Sequence, residues 1–124
     1  MDRRVLRITA DERSAGPATS GMIRETAIDT DQMWAGFVTT APGMTSGWHH
    51  HGEYESAIYV MSGAMRMEFG PGGTDRLDAG PGDFLYVPPG AIHREGNPGV
   101  DEAHIVVVRS GSGPAVINVD GPAS

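Results

Sequence analysis

Two short clusters of histidine and carboxylate residues could bind a metal ion. The upstream cluster contains His49, His51 and Glu55, and the downstream cluster contains His93. Neutral imidazoles and carboxylates suit a divalent transition metal such as Fe, Mn, Ni, Cu or Zn. Side chains two residues apart in a strand project from one face, so His49 and His51 would point together while His50 points away. Three imidazoles converging from two antiparallel strands would form a site whose open positions hold water or a substrate.

The segments around these clusters are typical of short β-strands separated by turns. Eighteen glycines and nine prolines interrupt the chain. Met65, Met67 and Phe69 alternate with charged residues, which is the period of a half-buried strand. Residues 103–109 are apolar on both faces after His104, which indicates a strand covered on both sides. Several such strands with Gly and Pro turns predict an all-β sandwich or barrel, and no segment has the pattern of a long amphipathic helix.

Composition limits the classes of function. At 124 residues the chain is expected to form one domain. It has no cysteine, which excludes disulfides, thiolate metal sites and cysteine nucleophiles. The formal net charge is −7 and no basic run extends beyond Arg3 and Arg4, so nucleic-acid binding is discounted. The longest aliphatic run, residues 105–108, is too short to span a membrane, so a cytoplasmic protein with no membrane partner is expected.

The two clusters also match a pair of known motifs, and the chain resembles a small single-domain cupin. The second cupin motif, G-x5-P-x-G-x2-H-x3-N, is matched by Gly82, Pro88, Gly90, His93 and Asn97. The first motif, G-x5-H-x-H-x3,4-E-x6-G, is matched up to its carboxylate by Gly43, His49, His51 and Glu55. The resemblance implies a jelly-roll β-barrel, also called a double-stranded β-helix. It also implies that a divalent transition metal is held inside the barrel by His49, His51, Glu55 and His93.

The resemblance covers roughly residues 32–109 of a single domain, 1–124. Residues 1–31 are then expected to hold N-terminal strands around a loop at 11–21. Residues 110–124 form a partly flexible tail in which 115–119 could be a late edge strand.

One departure from the first motif leaves the carboxylate ligand open. Seven residues, not six, separate Glu55 from Gly63, so counting back from Gly63 places Ser56 in the glutamate position. Either a β-bulge turns Glu55 back to the metal, or the site has three histidines and no carboxylate. Glu55 is the preferred ligand, and Glu53 is a further candidate.

Two other residues are secondary catalytic candidates. His104 heads a strand that can line the pocket in cupins, where a neutral imidazole could relay protons. Tyr59 could also line a pocket. The simpler expectation is structural for both: His104 at a strand end and Tyr59 in the core or at a dimer contact.

The sequence therefore predicts a metal-dependent enzyme that acts on a small molecule. The resemblance does not choose between dioxygenase, isomerase, lyase and cyclase chemistry. The alternative is a non-enzymatic cupin that binds or senses a small molecule and has a structural metal. A homodimer is expected, because edge strands need cover and residues 1–9 and 22–28 are available to provide it.

Overall fold

The computed structural model describes residues 3–17, 19–111 and 116–123, and these residues form two antiparallel β-sheets. Two 3-10 turns, Ala10–Glu12 and Pro71–Gly73, are the helical elements of this part of the chain. The strands are β1 (Ser14–Ala15), β2 (Met22–Asp29), β3 (Met33–Thr40), β4 (His49–His50), β5 (Glu55–Ser62), β6 (Met65–Phe69), β7 (Asp75–Ala79), β8 (Phe84–Val87), β9 (His93–Gly96), β10 (Ala103–Ser110) and β11 (Ile117–Asn118).

Within each sheet, many neighbouring strands come from distant parts of the chain. The six-stranded sheet has the order β1-β2-β3-β10-β5-β8, and the five-stranded sheet has the order β11-β4-β9-β6-β7. The chain therefore crosses repeatedly from one sheet to the other, and the predicted all-β architecture is confirmed. No helix in the described ranges is long and apolar enough to cross a membrane.

Inward-facing side chains of both sheets form the core. In β3 and β5 buried residues alternate with more exposed ones, as expected for strands with one face on the core. The core includes Val38 and Val60 from one sheet and Met65 and Met67 from the other. The predicted inward face of β6 is thus confirmed, with Phe69 half-buried at its end.

The structure differs from the sequence prediction for β10. Its inward face carries Ala103, Ile105 and Val107, but its outward face is not covered: Val106 is half-buried and Val108 is exposed. The apolar run at this strand therefore reflects β-branched side chains that suit a sheet surface, not burial on both sides.

Asn97, at the end of the second motif, ties the two sheets together. Its amide group donates to the carbonyl oxygens of Thr40 and Asp101, and its Oδ1 accepts from the backbone nitrogen of Gly99 at 2.9 Å. The side chain is only 1% exposed. Because a buried amide needs such partners, Asn97 holds the loop before β10 against the end of β3.

The two ends of the chain are only partly as predicted. Residues 3–9 belong to no strand, whereas β2 covers the second predicted N-terminal strand. The predicted loop contains the short strand β1. The late edge strand is present as β11, which pairs with β4, while position 115 of that prediction lies outside the described residues.

Candidate metal centre

Three imidazoles and one carboxylate converge between the sheets. They belong to His49, His51, His93 and Glu95, and one potential ligand atom from each lies within 4.8 Å of the others. The imidazole ring centroids are 4.4 to 5.2 Å apart. His49, His93 and Glu95 are buried and His51 is half-buried. Four donors this close together form a potential coordination sphere for a single ion.

Strand pairing explains why these residues meet. His49 in β4 lies directly opposite His93 in β9. Glu95 is two residues beyond His93, so both side chains leave the same face of β9. Between them Arg94 points outward, where its guanidinium binds Glu68 through two 3.0 Å hydrogen bonds. His51 follows the end of β4 and completes the cluster from the turn before β5.

Backbone carbonyls fix the orientation of two of the imidazoles. His49 Nδ1 lies 2.9 Å from the carbonyl oxygen of Gly47, and His93 Nδ1 lies 2.9 Å from that of Ala91. A carbonyl oxygen only accepts hydrogen bonds, so each Nδ1 carries the proton and each Nε2 presents a lone pair. Such a contact is the usual way in which a metal-binding histidine is held in the correct tautomer.

The two Nε2 atoms are buried without a hydrogen-bond partner among the described residues. Glu95 Oε1 is 3.2 Å from His49 Nε2, where a carboxylate and an imidazole lone pair would repel each other unless a cation or a proton lay between them. Unsatisfied polar atoms are rare in protein interiors, because burying them costs free energy. Two of them aimed at one point, beside a carboxylate, fit the binding of one cation.

The carboxylate of Glu95 gives the cluster its negative charge. Burial alone would raise the pKa of Glu95, but the neighbouring imidazoles, His49 first among them, lower that pKa to about 2. Burial also opposes protonation of His49, yet Glu95 and the Gly47 carbonyl outweigh it and raise the pKa of His49. For His93 burial dominates and lowers the pKa. Glu95 thus provides the cluster with an anionic ligand whose charge a bound cation would neutralise.

The structure does not bring Glu55 to this cluster. Its side chain is exposed on the outer face of β5 and accepts a 2.9 Å hydrogen bond from the hydroxyl of Tyr86. No bulge turns it inward, since Glu55 and Ser56 pair in regular register with Ser110 and Arg109 of β10. The carboxylate beside the imidazoles is that of Glu95, which corrects the sequence-based choice. Glu53 is also exposed.

Ser56 occupies the inward position that the motif spacing assigned to it. It is buried together with Ile58 and Val60 on the core face of β5, and its Oγ has no hydrogen-bond partner among the described residues. The three-histidine alternative was therefore right about strand parity. It missed that a carboxylate enters from β9 instead.

Glu95 could have been found by the parity argument that was applied to His49 and His51. It lies in the x3 gap between the histidine and the asparagine of the second motif, two residues after His93. The motif assigns no role to that position and expects its glutamate in the first motif instead.

The two secondary candidates lie away from the cluster. His104 is on the outer face of β10, stacked on Phe37 with a ring-centroid distance of 5.5 Å. Tyr59 is on the outer face of β5 and packs against Phe84 at 4.9 Å. Neither side chain faces the imidazoles, so the structural roles expected for them fit the geometry. His50 also points away, and its Nδ1 accepts a hydrogen bond from Gly52.

Two cavities border the cluster on different sides. An inner cavity is lined by His51, Ser56 and Glu95 together with side chains of β2, β3 and β10. An apolar groove of about 170 Å³ lies on the other side and is lined by Met67, Phe69, Leu77, Leu85, Pro88 and His93, among others. A small molecule could therefore approach the imidazoles, while apolar walls limit access of bulk water.

Comparison with known proteins identifies the family. The model of the cupin domain family matches residues 36–109, and the chain belongs to this family. The cupin jelly roll expected from the two motifs is thereby confirmed. No curated protein matches the chain.

Solved structures share the fold at low sequence identity. The polyketide cyclase RemF from Streptomyces resistomycificus matches with a TM-score of 0.77 and 23% identity, over 94% of this chain and 86% of that chain. KdgF from Halomonas sp. matches with a TM-score of 0.72 and 21% identity, over 86% of this chain and 94% of that chain. At these identities the likeness establishes the double-stranded β-helix and no particular reaction.

A third similar structure is that of a much longer protein. Oxalate decarboxylase from Bacillus subtilis, whose Mn(II) centres have been studied, matches with a TM-score of 0.70 and 22% identity. The match covers 82% of this chain but only 29% of that chain. The fold of this chain therefore corresponds to one part of that enzyme.

Proposed function

We propose that this cupin is a metal-dependent enzyme that acts on a small organic molecule. The observation that carries the proposal is the buried convergence of His49, His51, His93 and Glu95, in which the lone pairs of two imidazoles are aimed inward without a partner. A purely structural cluster would be expected to satisfy these atoms within the protein.

The donor set fits a divalent transition ion. Three imidazole nitrogens and one carboxylate oxygen suit Fe, Mn, Ni, Cu or Zn, whereas Mg²⁺ and Ca²⁺ prefer oxygen ligands alone. The similarity to a fold with Mn(II) centres is consistent with this range. A bound ion would supply Lewis-acid polarisation of a substrate oxygen or, if it is iron, activation of dioxygen.

The protein residues would have distinct tasks at this centre. The carbonyl oxygens of Gly47 and Ala91 hold His49 and His93 with Nε2 facing the ion. Glu95 stays ionised at neutral pH, because its pKa is about 2, and it offsets the charge of the cation. His51, which is half-buried, is the ligand on the side where a substrate enters.

Matched carboxylate variants test this assignment. Glu95→Gln should lower the affinity for Zn²⁺ roughly tenfold or more, because it removes an anionic ligand. Glu55→Gln is the control and should leave the affinity unchanged, since Glu55 is on the outer surface. Both affinities are measured by competition with a chromophoric chelator. A loss confined to Glu55→Gln would mean that β5 turns inward on metal binding and would refute the assignment to Glu95.

The native ion and the reaction class follow from a second measurement. Protein purified without chelator is analysed by inductively coupled plasma mass spectrometry and then screened for oxygen uptake with small-molecule substrates. Iron with substrate-dependent uptake supports a dioxygenase, and another ion without uptake supports an isomerase, lyase or cyclase. Protein that contains no transition metal and gains none on reconstitution would refute the proposal. A full metal site with ligand binding but no turnover would favour a sensing or binding protein.

A further inference from the structure

The inner cavity beside the metal cluster carries two arginines. Arg24 of β2 and Arg109 of β10 line it together with His51, Ser56 and Glu95. Each arginine is half-buried on the inward face of its strand. Neither forms an ion pair within the described residues. Glu95 acts on Arg24 and Asp29 acts on Arg109 only through space, so both guanidinium groups keep hydrogen-bond donors for an anionic ligand.

Strand register places Ser56, Arg109 and Trp34 side by side. Arg109 lies directly opposite Ser56 of β5 and, on its other side, opposite Trp34 of β3. The Ser56 hydroxyl is buried, has no hydrogen-bond partner among the described residues and lines the same cavity. A buried hydroxyl without a partner costs free energy, and a hydrogen bond to an acceptor on a ligand would remove this cost. This hydroxyl is an observation independent of the two arginines.

Aromatic rings hold the guanidinium of Arg109 in place. Its Cζ lies 4.9 Å from the ring centroid of Trp34 and 5.3 Å from that of Tyr54. The Trp34 indole is itself fixed, because its Nε1 donates to Thr26 Oγ1 at 3.2 Å. The indole ring lies over Gly36, where any added Cβ would collide with the ring. Arg109 is therefore oriented before a ligand arrives, which lowers the entropic cost of binding.

Arg24 is oriented by different contacts. Its Nη1 donates to Thr19 Oγ1 at 2.7 Å and to the Pro17 carbonyl oxygen at 3.3 Å. Burial lowers the pKa of both guanidinium groups, while Glu95 opposes this shift at Arg24 and Tyr54 and Asp29 oppose it at Arg109. The cavity thus holds two positive charges against the single negative charge of Glu95. A bound divalent ion would make the excess of positive charge larger.

The dimensions of the cavity fit a small acidic group. The free space is about 30 Å³, which is room for roughly two water-sized groups. An outer cleft of about 470 Å³ adjoins it and shares Pro17, Trp34 and Arg109 with it. Asp29 and Asp31 line this outer cleft, so the part of a ligand that extends there would not be anionic.

We propose that the inner cavity binds the carboxylate of a small organic acid between Arg24, Arg109 and Ser56, with the remainder of the molecule in the outer cleft. The inference deepens the proposed function, because it assigns the substrate class of the same site. Two guanidinium groups and one hydroxyl donate hydrogen bonds to the carboxylate, which then lies next to His51 and Glu95 in the inner cavity.

Butyrate, butyramide and succinate are the probes that test the proposal. They are titrated into Zn²⁺-loaded and metal-free protein by isothermal titration calorimetry. Butyrate should bind both forms, and its neutral isostere butyramide should bind at least tenfold more weakly. Equal binding of the two would overturn the proposal. Succinate that binds as tightly as butyrate would overturn the assignment of a single carboxylate, since Asp29 and Asp31 should repel its second one.

Variants locate the probe. Arg24→Gln and Arg109→Gln should each weaken butyrate binding roughly tenfold or more, as expected for loss of a charged hydrogen-bond donor. Arg76→Gln is the control, because Arg76 is exposed on β7 and lines neither cavity. Ser56→Ala should weaken binding several-fold while the fold stays intact, since the Ser56 hydroxyl has no partner to lose. Unchanged butyrate affinity in Ser56→Ala and in the arginine variants would overturn the site.

The same titrations separate this inference from the metal assignment. Protein that binds Zn²⁺ but not butyrate retains the metal site and loses the carboxylate site. Protein that binds butyrate but no transition metal retains the carboxylate site and refutes the proposed metalloenzyme.

Discussion

At the scale of single residues, side-chain direction decides which histidines can serve the centre. His51 and His104 are both half-buried, but His51 faces the space between the sheets and His104 faces outward against Phe37. Burial alone would not tell them apart. The difference comes from the strand face on which each residue lies, and it can be tested directly.

Substituting each of the two histidines by alanine tests this distinction. His51→Ala should lower the affinity for Zn²⁺ by about 100-fold or more, because it removes a ligand and not merely a supporting contact. His104→Ala should leave the affinity within about twofold of the wild type. Competition with a chelator measures both. A comparable loss in His104→Ala would show that the outer face of β10 supports the centre.

At the scale of elements, two kinds of contact join the strands that carry the ligands. The backbone nitrogen of Asn97 bonds to the Met44 carbonyl at 2.9 Å, next to the bridge between Thr45 and Gly96. The Asn97 side chain joins this region to Thr40 at the end of β3. In contrast, the pair of Arg94 and Glu68 joins β9 to β6 on the surface. The buried contact should therefore matter more for stability than the surface ion pair.

Asn97→Ala should lower the free energy of unfolding by roughly 2 to 4 kcal/mol, because it leaves buried backbone groups without partners. Glu68→Gln should lower it by less than about 1 kcal/mol, since exposed ion pairs contribute little. Urea unfolding followed by circular dichroism measures both free energies. Equal effects would mean that the loop before β10 contributes no more than the surface pair.

At the scale of the whole molecule, exposed apolar side chains suggest how the chain associates. Val5 and Leu6, in the N-terminal segment that belongs to no strand, are 98% and 73% exposed. Ile23 and Phe84 are exposed on the outer face of the six-stranded sheet. Association of two copies would bury such exposed apolar side chains, and exposed apolar patches commonly mark an interface. We therefore retain the homodimer as a prediction.

Light scattering after size-exclusion chromatography should give twice the mass of the chain at micromolar concentration. A Val5→Ser, Leu6→Ser double variant should shift the mass toward that of one chain, because it removes apolar area from the interface. Val100→Ser is the control, since Val100 is as exposed but lies in the loop before β10. A wild-type protein with the mass of one chain would contradict the prediction.

The amino-acid sequence by itself determined most of the strands, the family and the three histidines of the cluster. Period-two alternation and Gly and Pro turns are local signals, so β3, β5 and β6 could be predicted without knowing what they pack against. The parity of His49 and His51 and the spacing to His93 are equally local. The inward direction of Ser56 also followed from counting along β5.

The tertiary structure alone decided the carboxylate and the surroundings of the site. Glu95 joins the cluster because β9 pairs with β4, and Arg24 and Arg109 share a cavity because β2, β3 and β10 are neighbours in one sheet. These pairings connect residues far apart in the chain. The sequence gives the face of each strand, but the choice of neighbouring strands depends on packing of the whole core, and it is this choice that brings the charged groups together.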